Sequence, residues 1–404
     1  MVRYLQLAFI GLQIHALEVK NKVNLGWHNE IKMKKKPIYV TQPFLPDLNL
    51  FYPYLEAIWE SKNITNGGVF HQELETSLCK YLGVQHVSLF CNGTIALMVA
   101  LQALGISGEV ITSPYSFVAT TNSLLWNGIT PVFCDIDPIS MNIDPFKIEK
   151  AVTQKTSAIL PVHCYGTPCN VEEIQKIAEN HGLKVIYDAA HAFGVEFKGQ
   201  SLLNYGDLSV LSFHATKVFN TFEGGAIISH SLEMKKRIDQ LKNFGFVDEL
   251  TVVESGINGK MSEVNAAFGL LQLKSMQEVA SQRKMVSEFY NFNLEGINGI
   301  ELPAGNYSSA SNHSYYPIIV KSLFPVGRDK LYELLQEQSI FSRRYFYPLI
   351  SDFPMYKNLP SSTPKNLPVS KQISDQVLCL PIYPGLENKD LQRIIDVIKK
   401  ASLL

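Results

Sequence analysis

The sequence predicts an α/β fold with a mainly parallel central sheet that is covered by helices on both faces. Short apolar runs alternate with helical stretches from residue 87 to residue 188, which is typical of repeated strand–helix–strand units. The chain has 404 residues, enough for a large core and for two domains of ordinary size. Ligands of such sheets bind at the carboxyl ends of the strands, so a site is expected in the loops that follow them.

An extended arm and two helices precede the predicted sheet. Pro43, Pro46 and Pro53 punctuate the arm, and the apolar spacing predicts helices over residues 55–61 and 71–82. The alternating segments that follow are 87–91, 95–104, 110–112, 117–126, 132–135, 159–163, 171–181 and 185–188. Their alternation is the basis for predicting parallel strands.

A smaller α+β domain is predicted after residue 275. A strand at 226–229 and a helix at 232–242 come first, then a loop-rich segment and renewed helical spacing at 262–273. The C-terminal elements are predicted as a helix at 277–294, a strand at 315–320, a helix at 329–338, an aromatic stretch at 343–348 and a helix at 389–400. We therefore expect an N-terminal extension over 1–36 outside the fold, a large α/β domain over 37–275 and a small domain over 276–404.

The composition is that of a globular protein from a reducing compartment. Basic and acidic residues nearly cancel, 36 against 37, so the chain lacks the charge excess of a nucleic-acid-binding protein. The six cysteines form no CxxC pair and no zinc-site spacing, which favours reduced thiols and a cytoplasmic location. Residues 5–14 are apolar but too short for a membrane span, and Met33 offers an alternative start that would leave 1–32 outside the protein.

One lysine, Lys217, lies in a loop directly after a predicted buried strand. Residues 209–225 read SVLSFHATKVFNTFEGG, and the apolar run at 208–213 delivers the lysine to the carboxyl end of the sheet. Burial and neighbouring cations lower a lysine pKa, and such a lysine is the usual nucleophile for Schiff bases with carbonyl compounds. Most lysines after strands are solvated instead, so this loop alone leaves both interpretations open.

Three other predicted loops carry residues that suit a cofactor. The residues Asn92, Gly93 and Thr94 precede a helix and could present backbone N–H groups to a phosphate, or form a simple turn with Thr94 as N-cap. Asp188 ends an apolar strand, where its carboxylate could hold a protonated ring nitrogen or cap a helix. Phe117 could stack on a flat ring or belong to the core.

Together these groups match what pyridoxal phosphate requires. The cofactor needs an anion-binding helix start, an aromatic face, a carboxylate for the pyridine nitrogen and a lysine for the aldehyde. Motifs of competing cofactors and metal sites, GxGxxG, GxxxxGK[ST] and HExxH, do not occur in the sequence. We therefore predict pyridoxal 5'-phosphate as the cofactor and no metal.

Five blocks of sequence resemble the DegT/DnrJ/StrS family of sugar-nucleotide aminotransferases. They read NGTIAL at 92–97, SPYSFVAT at 113–120, DAAHAFG at 188–194, SFHATKVFNTFEGGA at 212–226 and GINGKMSEVNAA at 256–267. The resemblance runs from about residue 37 to the C-terminus, and the block with the lysine is its most specific part. It implies an aspartate-aminotransferase-like fold of type I and a homodimer with its active sites at the subunit boundary.

The family's ring-binding and catalytic roles fall on matching residues of this chain. The resemblance implies that Lys217 forms the Schiff base and shuttles the proton, and that Asp188 pairs with the pyridinium nitrogen. It implies that Phe117 stacks on the ring, while His191 lies beside the ring near its hydroxyl. L-Glutamate would be the amino donor, and ping-pong kinetics should follow.

The family's phosphate-binding roles fall on a second set of residues. The resemblance implies that Gly93, Thr94 and Ser212 hold the phosphate, together with Asn258 of the partner subunit. Lys260 stands where many members carry arginine, which weakens a bidentate contact there.

A further set of blocks resembles the VioA-type subgroup, whose members aminate C4 of dTDP-4-keto-6-deoxyglucose for surface polysaccharides such as O-antigen. The blocks read TQPFLP at 41–46, ITNGG at 64–68, SFHATK at 212–217 and RRYFYPL at 343–349. The resemblance implies that His214, Arg343, Arg344 and Tyr345 contact the dTDP-sugar, since arginine suits phosphate oxygens. Exposed arginines in loops are often only solvated, so their role stays open.

Other members and relatives of the family provide three alternatives. A 3-aminotransferase would act on a dTDP-3-keto-6-deoxyhexose, and the turn of the sugar ring that separates the two reactions leaves no motif. A dehydratase of the family carries histidine in place of Lys217. A catalytically silent sugar-nucleotide-binding protein is the third alternative. The presence of all the residues assigned to catalysis and cofactor binding in the lysine and aspartate blocks argues against it: Lys217, Asp188, His191 and Ser212.

Overall fold

The computed structural model describes residues 36–308 and 311–404. The predicted extension over 1–36 lies outside these ranges except for Lys36, as do Met33 and the apolar stretch at 5–14. Residues 38–404 form one compact unit, within which the boundary at residue 275 stays a prediction. Within the described ranges, no helix is long and apolar enough to cross a membrane.

The strands and helices are numbered here in chain order. The strands are β1 Ile38–Tyr39, β2 His86–Phe90, β3 Glu109–Thr112, β4 Thr130–Phe133, β5 Thr156–Leu160, β6 Lys184–Asp188, β7 Glu196–Phe197, β8 Gln200–Ser201, β9 Leu208–Ser212, β10 Gly225–Ser229, β11 Ile300–Glu301, β12 Tyr316–Val320, β13 Ile340–Phe341 and β14 Val377–Leu380. The helices are α1 Tyr52–Ser61, α2 Val69–Leu82, α3 Gly93–Ala103, α4 Ala119–Trp126, α5 Pro145–Ala151, α6 Val171–His181, α7 Leu232–Leu241, α8 Glu263–Lys274, α9 Met276–Leu294, α10 Arg328–Glu337, α11 Pro368–Gln376 and α12 Asn388–Ala401.

A seven-stranded sheet in the order β2-β10-β9-β6-β5-β3-β4 forms the centre of the fold. Adjacent strands of this sheet are parallel, except that β10 runs antiparallel to both β2 and β9. The predicted mainly parallel sheet is therefore confirmed. Because β6 and β9 are parallel neighbours, with Asp188 opposite Val210, their carboxyl ends open at the same edge of the sheet.

Both faces of the sheet are buried under helices. Successive residues of β9 point to opposite faces, so Val210 packs into the core beneath α3 and α7, whereas Leu211 packs into the core beneath α2 and α6. Burial on both faces requires strands that are nearly continuous apolar runs. This is why the strands are recognisable in the sequence as short apolar runs between helical stretches.

The C-terminal part has its own antiparallel sheet, in the order β11-β12-β14. The helices α9, α10 and α12 cover it and contribute Val286, Leu331 and Ile395 to a separate apolar core. The strand β14, the helix α11 and the parallel pairing of β1 with β13 were not predicted. The pairing joins strands of two residues each, too short to show a periodic pattern.

The helix predicted at 95–104 begins two residues earlier, at Gly93. Asn92 is its N-cap, and the Asn92 side chain accepts a hydrogen bond from the Ile95 N–H at 2.8 Å. Thr94 is therefore inside the first turn and is not the cap. The helix predicted from residue 117 begins at Ala119, which leaves Phe117 in the loop before it.

Candidate active site

A cavity opens at the carboxyl ends of β6 and β9, and most of the predicted site residues line it. Those residues are Gly93, Thr94, Phe117, Asp188, His191, Ser212, His214, Lys217 and Tyr345. All except Tyr345 lie at or just after the ends of β2, β3, β6 and β9, which the central sheet brings to one edge, whereas Tyr345 comes from the segment after β13. Among the described residues, no cluster of histidine, cysteine or carboxylate side chains could hold a metal ion.

Packing on both sides of Lys217 fixes the loop that carries it. The Lys217 N–H donates to the His214 carbonyl at 2.8 Å, and the Phe219 ring stacks on Phe193 with centroids 4.5 Å apart. Burial lowers the pKa of Lys217 from 10.5 to about 8, although the nearby Asp188 carboxylate raises it. A lysine with this pKa has a reactive neutral fraction near neutral pH, as a Schiff-base lysine requires.

Asp188 is the last residue of β6 and is only 5% exposed. Its Oδ2 accepts a hydrogen bond from the Thr120 hydroxyl at 2.7 Å, and its Oδ1 accepts one from the Ala190 N–H at 3.1 Å. Burial raises the pKa of this carboxyl above its usual range. A carboxylate held here by two neutral donors is a suitable partner for a protonated ring nitrogen, whose charge would compensate the burial.

His191 follows Asp188 by one turn of chain and is also buried. Its Nδ1 accepts a hydrogen bond from the Tyr165 N–H at 3.2 Å, which places the proton of the neutral ring on Nε2. Burial and then the charge of Lys217 hold the pKa of His191 well below its usual range. The imidazole is therefore a neutral hydrogen-bonding group in this cavity.

The start of α3 forms a close-fitting cradle against β9 and β10. A Cβ on Gly93 would lie 3.1 Å from the Ser212 Cβ, and a Cβ on Gly225 would lie 2.7 Å from the Gly93 nitrogen. Asn92 accepts hydrogen bonds from the N–H groups of Ile95 and Ala96. The first N–H groups of a helix, here those of Gly93 and Thr94, have no acceptor within the helix. A phosphate fits such a site by charge and by shape.

Gly93→Ala should weaken cofactor binding about tenfold, because the added methyl group pushes the helix start away from Ser212. Titration of the apoprotein with pyridoxal phosphate measures the effect. Gly327→Ala is the matched control, since Gly327 precedes helix α10 and a Cβ there meets no atom within 4 Å. Equal affinities of both variants and the wild type would contradict the cradle.

Four residues that the sequence analysis singled out lie outside this cavity: Asn258, Lys260, Arg343 and Arg344. Asn258 is exposed and pairs with Asn243 in an isolated bridge, and Lys260 donates to the Asn243 side chain at 2.7 Å. Arg344 forms an ion pair with Asp329 at 2.8 Å, lies over the rings of Tyr332 and Tyr347, and does not line this cavity. Arg343, in contrast, is exposed and lines a second cavity.

The second cavity adjoins the first, since Thr216 and Tyr345 line both. Its other lining residues come from β1, α10 and β13 and the segments that follow: Tyr39, Val40, Thr41, Tyr332, Gln336, Phe341, Ser342 and Arg343. The rings of Tyr39 and Phe341 stack with centroids 5.3 Å apart. This cavity therefore offers flat aromatic faces and one arginine beside the first.

Sequence reasoning missed two site residues, Thr120 and Tyr315. Thr120 binds Asp188, and the Tyr315 hydroxyl lies 3.4 Å from Lys217 Nζ. Thr120 is the last residue of the SPYSFVAT block, in which only Phe117 was considered, because its ring could stack on a cofactor. Tyr315 directly precedes a strand of the C-terminal sheet, and nothing in its local pattern distinguishes it from its neighbour Tyr316.

Comparison with protein families matches residues 49–399 to the DegT/DnrJ/EryC1/StrS aminotransferase family. The chain belongs to this family.

The family relatives include enzymes that are similar along most of their length. A dTDP-4-amino-4,6-dideoxy-D-glucose transaminase of Escherichia coli is 57% identical over 369 residues, which cover 91% of this chain and 99% of the relative. A GDP-perosamine synthase of Vibrio cholerae is 31% identical, covering 86% of this chain and 94% of the relative. The crystal structure of DesI with its TDP-sugar product superposes with a TM-score of 0.87, at 34% identity, and covers 91% of this chain and 93% of DesI.

These comparisons confirm the predicted family, the fold type and the enzyme class. The chain has the fold of the sugar aminotransferases that depend on pyridoxal phosphate, and it is an aminotransferase. The cofactor prediction is confirmed as well. The roles given to individual residues rest on the geometry described above and stay predictions.

Proposed function

We propose that this enzyme transfers the amino group of L-glutamate to C4 of dTDP-4-keto-6-deoxy-D-glucose, forming dTDP-4-amino-4,6-dideoxy-D-glucose. The proposal is supported by the 57% identity to the Escherichia coli transaminase of that name. That identity carries the choice of sugar and carbon, and the meeting of Lys217, Asp188 and His191 in one cavity beside the start of α3 carries the amino-transfer chemistry. These are the groups that pyridoxal phosphate needs at its aldehyde, its ring and its phosphate.

When bound, pyridoxal phosphate supplies an aldehyde that exchanges amino groups and a protonated ring that accepts electron density. The residues of the chain do the rest. Asp188 holds the proton on the ring nitrogen, and Lys217 takes the α-proton of the amino donor as its neutral amine. His191 stays neutral and faces the ring without adding charge. Phe117, with 59% of its surface exposed at the cavity mouth, is free to stack on the ring.

We propose that the second cavity holds the nucleoside diphosphate of the substrate. It adjoins the reacting centre, and it carries aromatic faces for a base and Arg343 for the phosphate oxygens. Among the described residues, the Arg343 side chain has no ion-pair partner, so its guanidinium is available to a ligand. Arg344 is already engaged with Asp329 and is given a structural role instead.

Arg343→Ala should raise KM for the dTDP-sugar about tenfold and leave KM for L-glutamate unchanged, because a charge-assisted contact to phosphate is lost. Steady-state kinetics with each substrate varied in turn measure the difference. Arg344→Ala is the matched control: it removes the same side chain one residue away and should affect stability more than KM. The assignment is wrong if the two variants have equal KM values.

We also propose a homodimer and a cytoplasmic enzyme that serves lipopolysaccharide O-antigen synthesis. The loop after α7 carries exposed apolar side chains, among them Phe244, Leu250 and Val252, and it ends at the exposed Asn258. A partner subunit would cover these side chains and would bring Asn258 to the phosphate site of the other subunit. Sedimentation equilibrium of the purified protein tests the dimer.

The experiment that tests the proposed reaction is product identification. The enzyme is incubated with pyridoxal phosphate, L-glutamate and dTDP-4-keto-6-deoxy-D-glucose, and the sugar is analysed by mass spectrometry and NMR. We expect an amino group at C4. An enzyme that turns over only dTDP-3-keto-6-deoxyhexoses would overturn the substrate assignment and leave the aminotransferase assignment in place.

A further inference from the structure

A cluster of tyrosines, to which no role has been given so far, lies beside Lys217. Tyr315 lies with its hydroxyl 3.4 Å from Lys217 Nζ, and the ammonium nitrogen is 5.8 Å from the centroid of the Tyr315 ring. The titratable groups that line the cavity around Nζ are Asp188, His191, His214, Glu223, Tyr315 and Tyr345. Among the described residues, the Lys217 amino group donates its hydrogen bond to the Tyr315 hydroxyl.

The Tyr315 ring cannot turn freely, because aromatic rings surround it. Its centroid lies 4.8 Å from that of His191, 5.8 Å from that of Tyr165 and 5.6 Å from that of Tyr345. The interplanar angles are 63° with His191, 59° with Tyr165 and 90° with Tyr345, so all three rings are steeply inclined to the Tyr315 ring. The direction of the hydroxyl is therefore fixed by packing.

The backbone before Tyr315 is fastened to the loop that carries His191. The Asn312 amide donates to the carbonyls of His191 at 2.8 Å and Phe193 at 3.0 Å, and the Ser314 hydroxyl donates to the His191 carbonyl at 2.8 Å. On the other side the buried guanidinium of Arg283 donates to the Ser314 carbonyl at 3.3 Å. These bonds join the C-terminal sheet to the cofactor cavity at the position of Tyr315.

We propose that Tyr315 is the positioning residue for Lys217, and that its hydroxyl holds the lysine amino group in the orientation that proton transfer requires. The inference rests on the proposed role of Lys217 as the proton carrier. No bond to the Tyr315 oxygen forms or breaks, and the hydroxyl keeps its own proton. Burial raises the pKa of Tyr315 well above its usual range, so the phenol is neutral at all working pH values.

Correct placement of a catalytic group contributes strongly to rate, because a small displacement of the reacting atom lowers the fraction of productive encounters. Loss of the Tyr315 hydroxyl leaves the amino group with more freedom in the cavity. It also removes an acceptor from the ammonium form, which should lower the pKa of Lys217 further. We expect substrate binding in the adjoining cavity to be unchanged, because Tyr315→Phe keeps the ring that packs against Tyr345.

Tyr315→Phe and Tyr316→Phe form the matched pair of variants. The two tyrosines are neighbours in sequence, Tyr315 half-buried in the cavity wall and Tyr316 fully buried, and the Tyr316 hydroxyl donates to the Asn291 side chain at 2.7 Å, away from Lys217. Each variant loses one hydroxyl and keeps its ring. Tyr316→Phe therefore reports the effect of losing a buried hydrogen bond that is remote from Lys217.

The first measurement uses apoprotein and requires no turnover. The rate at which an amine reagent modifies Lys217 is followed against pH by peptide mass spectrometry. Wild type and Tyr316→Phe should give a midpoint of about 8, and Tyr315→Phe a midpoint lower by about half a pH unit. If Tyr315→Phe does not fold, fluorotyrosine at position 315 makes the hydroxyl a poorer acceptor and should shift the midpoint the same way.

The second measurement uses the enzyme loaded with pyridoxal phosphate and follows the half-reaction with L-glutamate in a single turnover. Tyr315→Phe should slow the maximal rate about tenfold at an unchanged half-saturating glutamate concentration. Wild-type rate and midpoint in Tyr315→Phe, or equal effects in Tyr316→Phe, would overturn the proposal. Failure of the wild type to aminate the sugar would contradict the proposed function, while the apoprotein midpoints would still decide the role of Tyr315.

Discussion

Lys217→Ala is expected to reduce amino transfer at least about ten thousandfold, the largest effect of any single substitution in this chain. The variant lacks the side chain that we propose both as the amine for the cofactor aldehyde and as the base for the α-proton. Steady-state activity with L-glutamate and the dTDP-keto sugar measures the loss. If Lys217 binds the cofactor covalently, as we propose, the purified variant should also lack the visible absorption of that linkage.

Lys217→Arg separates charge from chemistry at the same position. Arginine keeps a positive charge beside Asp188, but it stays protonated and cannot form a Schiff base. We expect the arginine variant to fold and to be as inactive as the alanine variant. An active Lys217→Arg enzyme would show that the lysine acts only through its charge, and it would remove the basis for the assigned chemistry.

Asp188→Asn is expected to lower kcat about a hundredfold to a thousandfold, the second largest effect. The amide has the same shape but no charge, so it cannot hold a proton on the ring nitrogen. The amide oxygen can still accept from the Ala190 N–H, and the Thr120 hydroxyl can turn to accept from the amide N–H, so both contacts are kept with one of them reversed in direction. The rate of the half-reaction with L-glutamate in a single turnover measures the effect without contributions from the sugar.

Thr120→Val is the control for the carboxylate. It removes the 2.7 Å hydrogen bond to Asp188 and leaves the charge, so we expect a loss of only about tenfold. Because the bond favours the ionised carboxyl, its loss should raise the pKa of Asp188 further. If Thr120→Val were as damaging as Asp188→Asn, the charge of Asp188 would not be the important feature.

The sequence predicted those parts of the site that lie at the ends of buried strands. Asp188 and Lys217 follow apolar runs that have a clear length and clear ends, and parallel strands place such ends together. The helix that begins at Gly93 was also predicted from its apolar segment, although its predicted start lay two residues too late, at residue 95. These features are local, so a pattern within a short window contains them.

The contacts that the sequence did not predict join distant segments. Tyr315 is 98 residues from Lys217, and Asp188 is 68 residues from Thr120. Arg343 and Arg344 look equivalent in the sequence, yet one faces a cavity and its neighbour pairs with Asp329. Such differences depend on the direction of the backbone at a single residue, which no periodic pattern records.

The most direct test of the proposed reaction and of the roles of Lys217 and Asp188 is the transfer of an isotopically labelled amino nitrogen. Wild type, Lys217→Ala and Asp188→Asn are incubated with pyridoxal phosphate, amino-labelled L-glutamate and dTDP-4-keto-6-deoxy-D-glucose, and NMR locates the label. We expect label on C4 of the sugar with wild type, a much slower appearance with Asp188→Asn and none with Lys217→Ala. Label transfer by Lys217→Ala at the wild-type rate would contradict the proposed role of Lys217.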